Sequence, residues 1–582
     1  MNSERRRAMR YKKASYGILL FLCLVLIGGG AASAADRAAA PHTEDSSTHV
    51  ERLQFIPTTK PAVIFTFGGL SKGAELDGIL TEMAAQGMRG TFFVTERELQ
   101  RNGENIRRIV AAGQDLGIGL RTEAGADTAA YEAQIQRIQT ALRTRYGVTT
   151  NIVRQMSGAD EPAISDAVSA LGCVLVGQSV NVVQSKHKDA QSSEEIMPQI
   201  FGRWTTSLNR GQIVYLRMDF YTRPGLAADM LRAIKAQKVD NIAYAPSRAS
   251  DAQAESDRAA SRYQVCSVQD ALSDRAHLYT YPVNIAALPE EMQPYVRDPK
   301  LTGKTFFNEF LKRYIGAPEV GETDRMLGFS RAEMRQADHT GVVKTVADNT
   351  VFFTFDDWGS DDSINHLLSV LNKHRVHGTF FIITWNIHNN PNLLRAIAAE
   401  GNEIGSHTNR HKPMTIQDEK GRQVPVQSPQ EYDEDVRSSY EKLLMTVGDM
   451  KLPSGRPALT RLLRPPTLAV SRMGAEAILN NGFTYIVNGS GSTEDYSAVS
   501  MESLVGILHR LTHEDDGTVK RGAILVMHMS ATAARTAEAL DMLLTANDLL
   551  PEGDPGKFKV GLLGDYLVDG YSQTMKQVER VK

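Results

Sequence analysis

Short apolar, β-prone runs alternate with longer amphipathic stretches along most of this chain. In the second half, 352–355, 379–383, 403–406, 461–464, 484–487, 523–528 and 559–562 read as strands. Between them, 363–373, 392–400, 430–445, 472–480 and 501–511 read as helices. Strand and helix in alternation predict an α/β fold with a parallel sheet. Polar, chemically capable residues gather where these strands stop, which predicts a barrel with its site at the strands' C-terminal face.

The same pattern occurs earlier in the chain. Phe65-Thr66-Phe67-Gly68-Gly69-Leu70 parallels Phe353 to Trp358, and Gly90-Thr91-Phe92-Phe93 parallels Gly378-Thr379-Phe380-Phe381. Ala112 to Gly117 parallels Glu400 to Gly405, and all three matches share one offset of 288 positions. This is the signature of two copies of one domain. Through that register Asp356 becomes Gly68, Asp357 becomes Gly69, His407 becomes Gly119 and His411 becomes Glu123. Further on, Arg154 matches Arg464 and Arg217 matches His528. The first copy therefore keeps strands and turns and loses the chemistry. It is expected to be catalytically inactive, as a packing partner or as a glycan-binding module.

In the second copy, Asp356 and Asp357 arrive where the first strand ends, and His407 and His411 follow at i and i+4. On a helical turn those histidines would share a face. One carboxylate with two imidazoles is a three-ligand set that leaves coordination positions open, which fits a catalytic zinc site better than a closed structural one. Such a set also accepts cobalt, nickel or manganese.

Thr354-Phe355-Asp356-Asp357 and His407-Thr408-Asn409-Arg410-His411 resemble the first two motifs of the polysaccharide deacetylase family (NodB homology, carbohydrate esterase family 4). Leu463-Arg464-Pro465-Pro466, Glu494-Asp495-Tyr496 and Leu525-Val526-Met527-His528 follow in family order. The resemblance implies two tandem distorted (β/α)7 barrels with a degenerate N-terminal copy. It implies Asp357, His407 and His411 as metal ligands and Asp356 as general base, held by Arg464. It further implies His528 as the group protonating the leaving amine, oriented by Asp495. The reaction implied is hydrolysis of N-acetyl groups on an amino-sugar polysaccharide such as peptidoglycan, releasing acetate.

Four positions depart from the pattern. Thr467-Leu468 stands where the family has Tyr-Gly, Tyr496 where it has tryptophan, and Trp358 where it commonly has glycine. Each bears on the substrate groove; Tyr496 reads as a groove wall or as core, and Trp358 likewise. The departures keep two other readings open: a glycan-binding protein without catalysis, and hydrolysis of an O-acetyl ester or a non-sugar amide.

Residues 1–35 carry a basic head (Arg5, Arg6, Arg7, Arg10, Lys12, Lys13), an apolar run from Tyr16 to Ile27 and a small-residue Ala32-Ser33-Ala34 pattern. They read as a signal peptide or an N-terminal membrane anchor, which puts the rest of the chain outside the cytoplasm, secreted or held at the cell surface. The sequence-based division is then a flexible stalk at 36–57, the degenerate copy at 58–275, a connector at 276–347 and the catalytic copy at 348–582.

With 582 residues, 42% hydrophobic, the chain has material for more than one domain. A net charge of -3 gives no electrostatic case for nucleic acid, and three cysteines are too few for a disulfide framework.

Overall fold

The computed structural model describes residues 52–574, apart from 71–72, 202–206, 240–242, 245–261, 323–324, 359–360, 498, 531–532 and 534. The expected signal or anchor at 1–35 and the stalk as far as residue 51 lie outside the described residues. From residue 52 the expected stalk is already part of the fold: Leu53 bridges Val176, Phe55 bridges Gln212 and Ile56 is buried. Apolar side chains at 53, 55 and 56 give this stretch surface to bury, which a flexible linker lacks. No helix among the described residues is long and apolar enough to cross a membrane.

Among the described residues, two curled parallel sheets, each of nine strands, carry the two copies. The second runs Tyr314–Ile315, Tyr485–Val487, Leu459–Leu463, Glu403–Ser406, Thr379–Ile382, Thr350–Asp357, Ile524–His528, Gly491–Ser492, with Lys559–Gly561 also paired to Thr350–Asp357. The architecture is two tandem distorted (β/α)7 barrels, and all seven sequence-predicted strands of the second copy are present. Thr350–Asp357 is buried along nearly its whole length, as a central parallel strand covered on both faces must be.

The repeat in the sequence is a repeat in packing. A side chain at Gly378 would put its Cβ 2.7 Å from the Phe355 ring, and one at Gly90 would meet Phe67 at the same distance. Phe355 lies 4.8 Å from Phe380, and Phe67 lies 4.5 Å from Phe92. Glycine is required at both positions because a phenylalanine from the neighbouring strand occupies the space.

The stretch read as a connector, 276–347, packs into the second copy. Helix Gly303–Arg313 buries Phe306 and Phe310, and Tyr314–Ile315 pairs in parallel with Ile486 and Val487. Met326 and Leu327 pair with Val470 and Ser471.

The copies meet at a buried polar joint. Asn392, 1% exposed at the start of helix Pro391–Ala399, uses its amide in full. Its Oδ1 accepts from Thr58 N at 3.1 Å and Tyr279 Oη at 2.5 Å. Its Nδ2 donates to Ile56 O at 3.1 Å and Arg210 O at 2.7 Å. Asn209 Nδ2 donates to Asn389 O at 2.7 Å, and Arg210 to Asn365 Oδ1 at 3.1 Å.

Candidate metal centre and active site

The sheet register assembles the site. Asp356 sits opposite His528 on one neighbouring strand, and Asp357 opposite Ile382 on the other. Ile382 pairs in turn with Ser406, immediately before His407. Side chains from four strand ends therefore converge on one point.

Ligand atoms of Asp357, His407 and His411 all lie within 4.8 Å of one another. His407 Nδ1 is 2.8 Å from Arg464 O. A carbonyl oxygen only accepts, so Nδ1 carries the proton and Nε2 presents its lone pair to the cluster. Nε2 lies 3.8 Å from both Asp356 Oδ2 and Asp357 Oδ1, and His411 Nε2 lies 3.5 Å from Asp357 Oδ1. Desolvation, with the neighbouring His407 adding to it, lowers the His411 pKa from its ordinary value, the direction that favours a neutral, ligating ring. This donor set fits a divalent transition metal.

The two histidines do not ride on a helical turn. The loop after Ser406 is bent, with Thr408 at φ 64° and His411 at φ 53°, and convergence comes from that bend. Asp357 itself has φ 87°, and Thr467, Leu468 and Glu494 are also left-handed. Such backbone is uncommon outside glycine and persists where surrounding structure holds it.

Arg464 is fully buried and Asp356 almost so, their side chains 2.7 Å apart. The guanidinium also donates to Thr354 Oγ1 at 2.7 Å, Val487 O at 3.1 Å and Asn488 O at 2.8 Å, and lies over the Phe381 ring. Burial alone would raise the Asp356 pKa. The charges of Arg464 and His528, with the Arg464 hydrogen bond, outweigh it and hold the carboxyl below its ordinary value.

His528 Nδ1 lies 2.7 Å from Asp495 Oδ1, and Asp495 Oδ2 accepts from His528 N at 3.0 Å and Thr536 Oγ1 at 2.5 Å. Burial pulls the imidazole down, but the Asp495 bond and the carboxylates of Asp495, Asp356 and Asp357 raise it to about 9.

The first copy has no such cluster among its described residues. A Cβ on Gly68 would stand 2.5 Å from Tyr215 Oη and 2.6 Å from Met156 Cε, and one on Gly119 would stand 3.1 Å from Met156. Arg154 stacks over Tyr215 at 3.8 Å and bonds Gly177 O and Gln178. Arg217, opposite Gly68 as His528 is opposite Asp356, is paired with Asp219.

The polysaccharide deacetylase family model matches residues 56–176 and 343–486, once in each copy. A chitooligosaccharide deacetylase of Bradyrhizobium is 30% identical over 157 residues, 23% of this chain and 71% of its own length. The chain belongs to the polysaccharide deacetylase family. The Listeria monocytogenes peptidoglycan-N-acetylglucosamine deacetylase PgdA is 30% identical over 204 residues, 35% of this chain and 37% of PgdA. A Rhizobium leguminosarum chitooligosaccharide deacetylase is 37% identical over 71 residues, 12% of this chain and 33% of its own length. The chain thus spans only about a third of these last two relatives.

All seven sequence-predicted site residues come together. The residues that hold them were not foreseen: Thr354, Asn488 and Thr536 are ordinary polar residues whose roles depend on three-dimensional neighbours. Trp358 is nearly buried and packs in the core. Tyr496 is 37% exposed, its ring edge-on to His528 at 5.0 Å, so it stands beside the imidazole and outside the core. The side chain of His374 is buried between Asp541 and Asp548, at 2.7 and 2.6 Å.

Proposed function

We propose that the second copy hydrolyses N-acetyl groups of an amino-sugar polysaccharide outside the cytoplasm, with a divalent metal held by Asp357, His407 and His411. The observation that carries this is the buried Arg464–Asp356 pair beside that cluster, with His528 opposite Asp356 in the sheet. Bound there, a divalent cation supplies Lewis acidity for the acetyl carbonyl and lowers the pKa of water. Zinc is the default, with cobalt, nickel or manganese acceptable to the same donors.

Asp356, kept ionised by Arg464, takes the proton of the attacking water. Asp495 holds Nδ1–H of His528, so the other ring nitrogen carries the proton needed by the departing amine. The Thr467 N–H has no hydrogen-bond partner among the described residues and is available to a developing oxyanion. The named relatives act on chitooligosaccharide and on peptidoglycan N-acetylglucosamine, which supports an N-acetylated glycan here. The basic head and apolar run at 1–35 support export. The first copy, with Met156 and Tyr215 in the place of ligands, is taken to be inactive.

Acetate release from N-acetylglucosamine oligomers and peptidoglycan tests the reading. The protein is assayed after chelation and after return of zinc, cobalt or manganese, beside Asp356→Asn. Metal-dependent release that the substitution lowers by roughly 100-fold or more is expected; release indifferent to both treatments would overturn it. A second acyl substrate class is favoured by one observation. Thr467-Leu468, left-handed and held by Arg325 at 2.5 and 2.7 Å, gives the groove a wall unlike the family's Tyr-Gly. An O-acetylated glycan in the same assay tests it.

A further inference from the structure

Helix Pro429–Val447 lies against the loop that carries His407 and His411, and the face it turns to that loop is polar. Asp435, Ser439 and Lys442 stand at i, i+4 and i+7 and so share one side of the helix. Ser439 ends a relay of donors. Thr408 N donates to Ser406 Oγ at 3.1 Å, the two serine hydroxyls are 2.7 Å apart, and Ser439 Oγ donates to Val436 O at 2.7 Å. With its proton committed to that carbonyl, Ser439 accepts from Ser406. Lys442 Nζ donates to Asn409 Oδ1 at 3.0 Å, and Thr384 Oγ1 donates to the same oxygen at 3.0 Å. Asn409 is buried midway between the two histidines in the chain. The buried Asp435 carboxyl faces Thr408 and the backbone of Asn409 and Arg410, and neither of its oxygens has a hydrogen-bond partner among the described residues. A buried carboxylate left in that state is costly unless positive charge lies near it, and the backbone it faces joins two ligands of a cation site.

The first copy has the same helix without the polar face. Thr128–Tyr146 is also 19 residues long, and it is the next helix after strand Asp115–Leu120, as Pro429–Val447 is after Glu403–Ser406. Matched end to end, Tyr131 falls on Tyr432, Ile135 on Val436 and Leu142 on Leu443, and all six are buried. The packing positions are therefore kept. At the other three, Gln134 stands for Asp435, Ile138 for Ser439 and Ala141 for Lys442. The surroundings correspond as well: Gln134 Nε2 lies 3.4 Å from Glu123 Oε1, and Glu123 holds the place of His411. The copy that lacks the ligands thus lacks the polar face, and its helix packs without it. Packing of the helix does not call for Asp435, Ser439 and Lys442; the ligand loop beside them does.

We propose that Asp435, Ser439 and Lys442 are positioning residues that hold the His407–His411 loop in its left-handed bend. The affinity of the Asp357, His407 and His411 site for a divalent cation then depends on Lys442 through Asn409, and on Asp435 through the loop backbone. This rests on the metal-site reading above and adds to it the residues outside the ligand set that fix its geometry.

The test is the dissociation constant for zinc, measured by competition with a chelating dye, on full-length wild type, Lys442→Ala, Lys442→Arg and Asp435→Gln. The thermal midpoint of each metal-free protein is measured beside it. Alanine and glutamine are the first copy's own residues at these two positions. Lys442→Ala and Asp435→Gln are each expected to weaken zinc binding about tenfold or more. Lys442→Arg, which keeps a donor for Asn409, is expected to recover most of the loss, and the metal-free midpoints to stay at the wild-type value. Wild-type affinity in either Lys442→Ala or Asp435→Gln would overturn the proposal. So would a loss of affinity accompanied by a lower metal-free midpoint, which assigns these residues to folding alone. Acetate release takes no part in this readout. A wild type that binds zinc without releasing acetate defeats the hydrolytic reading and leaves the affinities to decide this one, whereas a wild type that takes up no zinc overturns both.

Discussion

Arg464 and Asp356 form a buried ion pair at 2.7 Å, and the guanidinium also meets a hydroxyl, two carbonyls and a ring face. Removing one partner leaves an uncompensated buried charge. Arg464→Met is expected to cost about 3–5 kcal/mol of folding stability. It should also raise the Asp356 pKa, so the acidic limb of the rate profile moves to higher pH. The depressed carboxyl contributes stability above its unfolded value, lost as pH falls through the folded one. In Arg464→Met the raised carboxyl instead costs stability at pH 7 that is regained as pH falls, so the variant's deficit in denaturant midpoint against the wild type should be larger at pH 7 than at pH 4.

The His528–Asp495 bond sets the alkaline limb. With its value raised to about 9, His528 is protonated at neutral pH and loses its proton as pH rises. Asp495→Asn removes the carboxylate that outweighs burial, so the imidazole value falls and the alkaline limb moves to lower pH. A bound cation near Asp357 reduces the starting value without changing that direction. Rate profiles of the two proteins, each saturated with the same metal, provide the check; coincident alkaline limbs would contradict the assignment.

Metal content separates the two copies. One divalent ion per chain is expected after dialysis, falling to none in His407→Ala combined with His411→Ala. Gly68→Asp combined with Gly69→Asp is not expected to create a second site. The new side chain at 68 runs into Tyr215 and Met156, and position 69 is at φ 74°. Overpacking of this kind costs about 1–3 kcal/mol, visible as a lower unfolding midpoint with unchanged metal stoichiometry.

Asn392 couples the copies. Asn392→Ala strands Ile56 O, Arg210 O, Thr58 N and Tyr279 Oη, two donors and two acceptors, in a buried joint. A loss of about 3 kcal/mol is expected. Limited proteolysis should then cut between the copies before either is degraded, whereas a cleavage pattern unchanged from the wild type would mean that Asn392 does not couple them.

The chemistry was legible in the sequence because it depends on residue type and local spacing. Asp356, Asp357, His407 and His411 lie at strand ends that hydrophobic runs already mark, and the offset of 288 exposed the first copy's missing ligands. What was not legible depends on distant neighbours. Asn392 meets Ile56 across 336 positions and Arg210 across 182, and an asparagine opening a helix looks like any cap. The i, i+4 spacing of the histidines suggested a helical turn, but the left-handed backbone at Thr408 and His411 brings the rings together in a loop instead.

The short strand Tyr314–Ile315 has a practical bearing on anyone who would isolate the catalytic half. The family match begins at 343, yet Ile486 and Val487 pair with this strand, and Phe306 and Phe310 fill the core beneath it. A truncation at the homology boundary would bare a β-edge and an aromatic hollow together, an invitation to self-association. Where homology starts and where a soluble, autonomous fragment starts are different addresses in this chain.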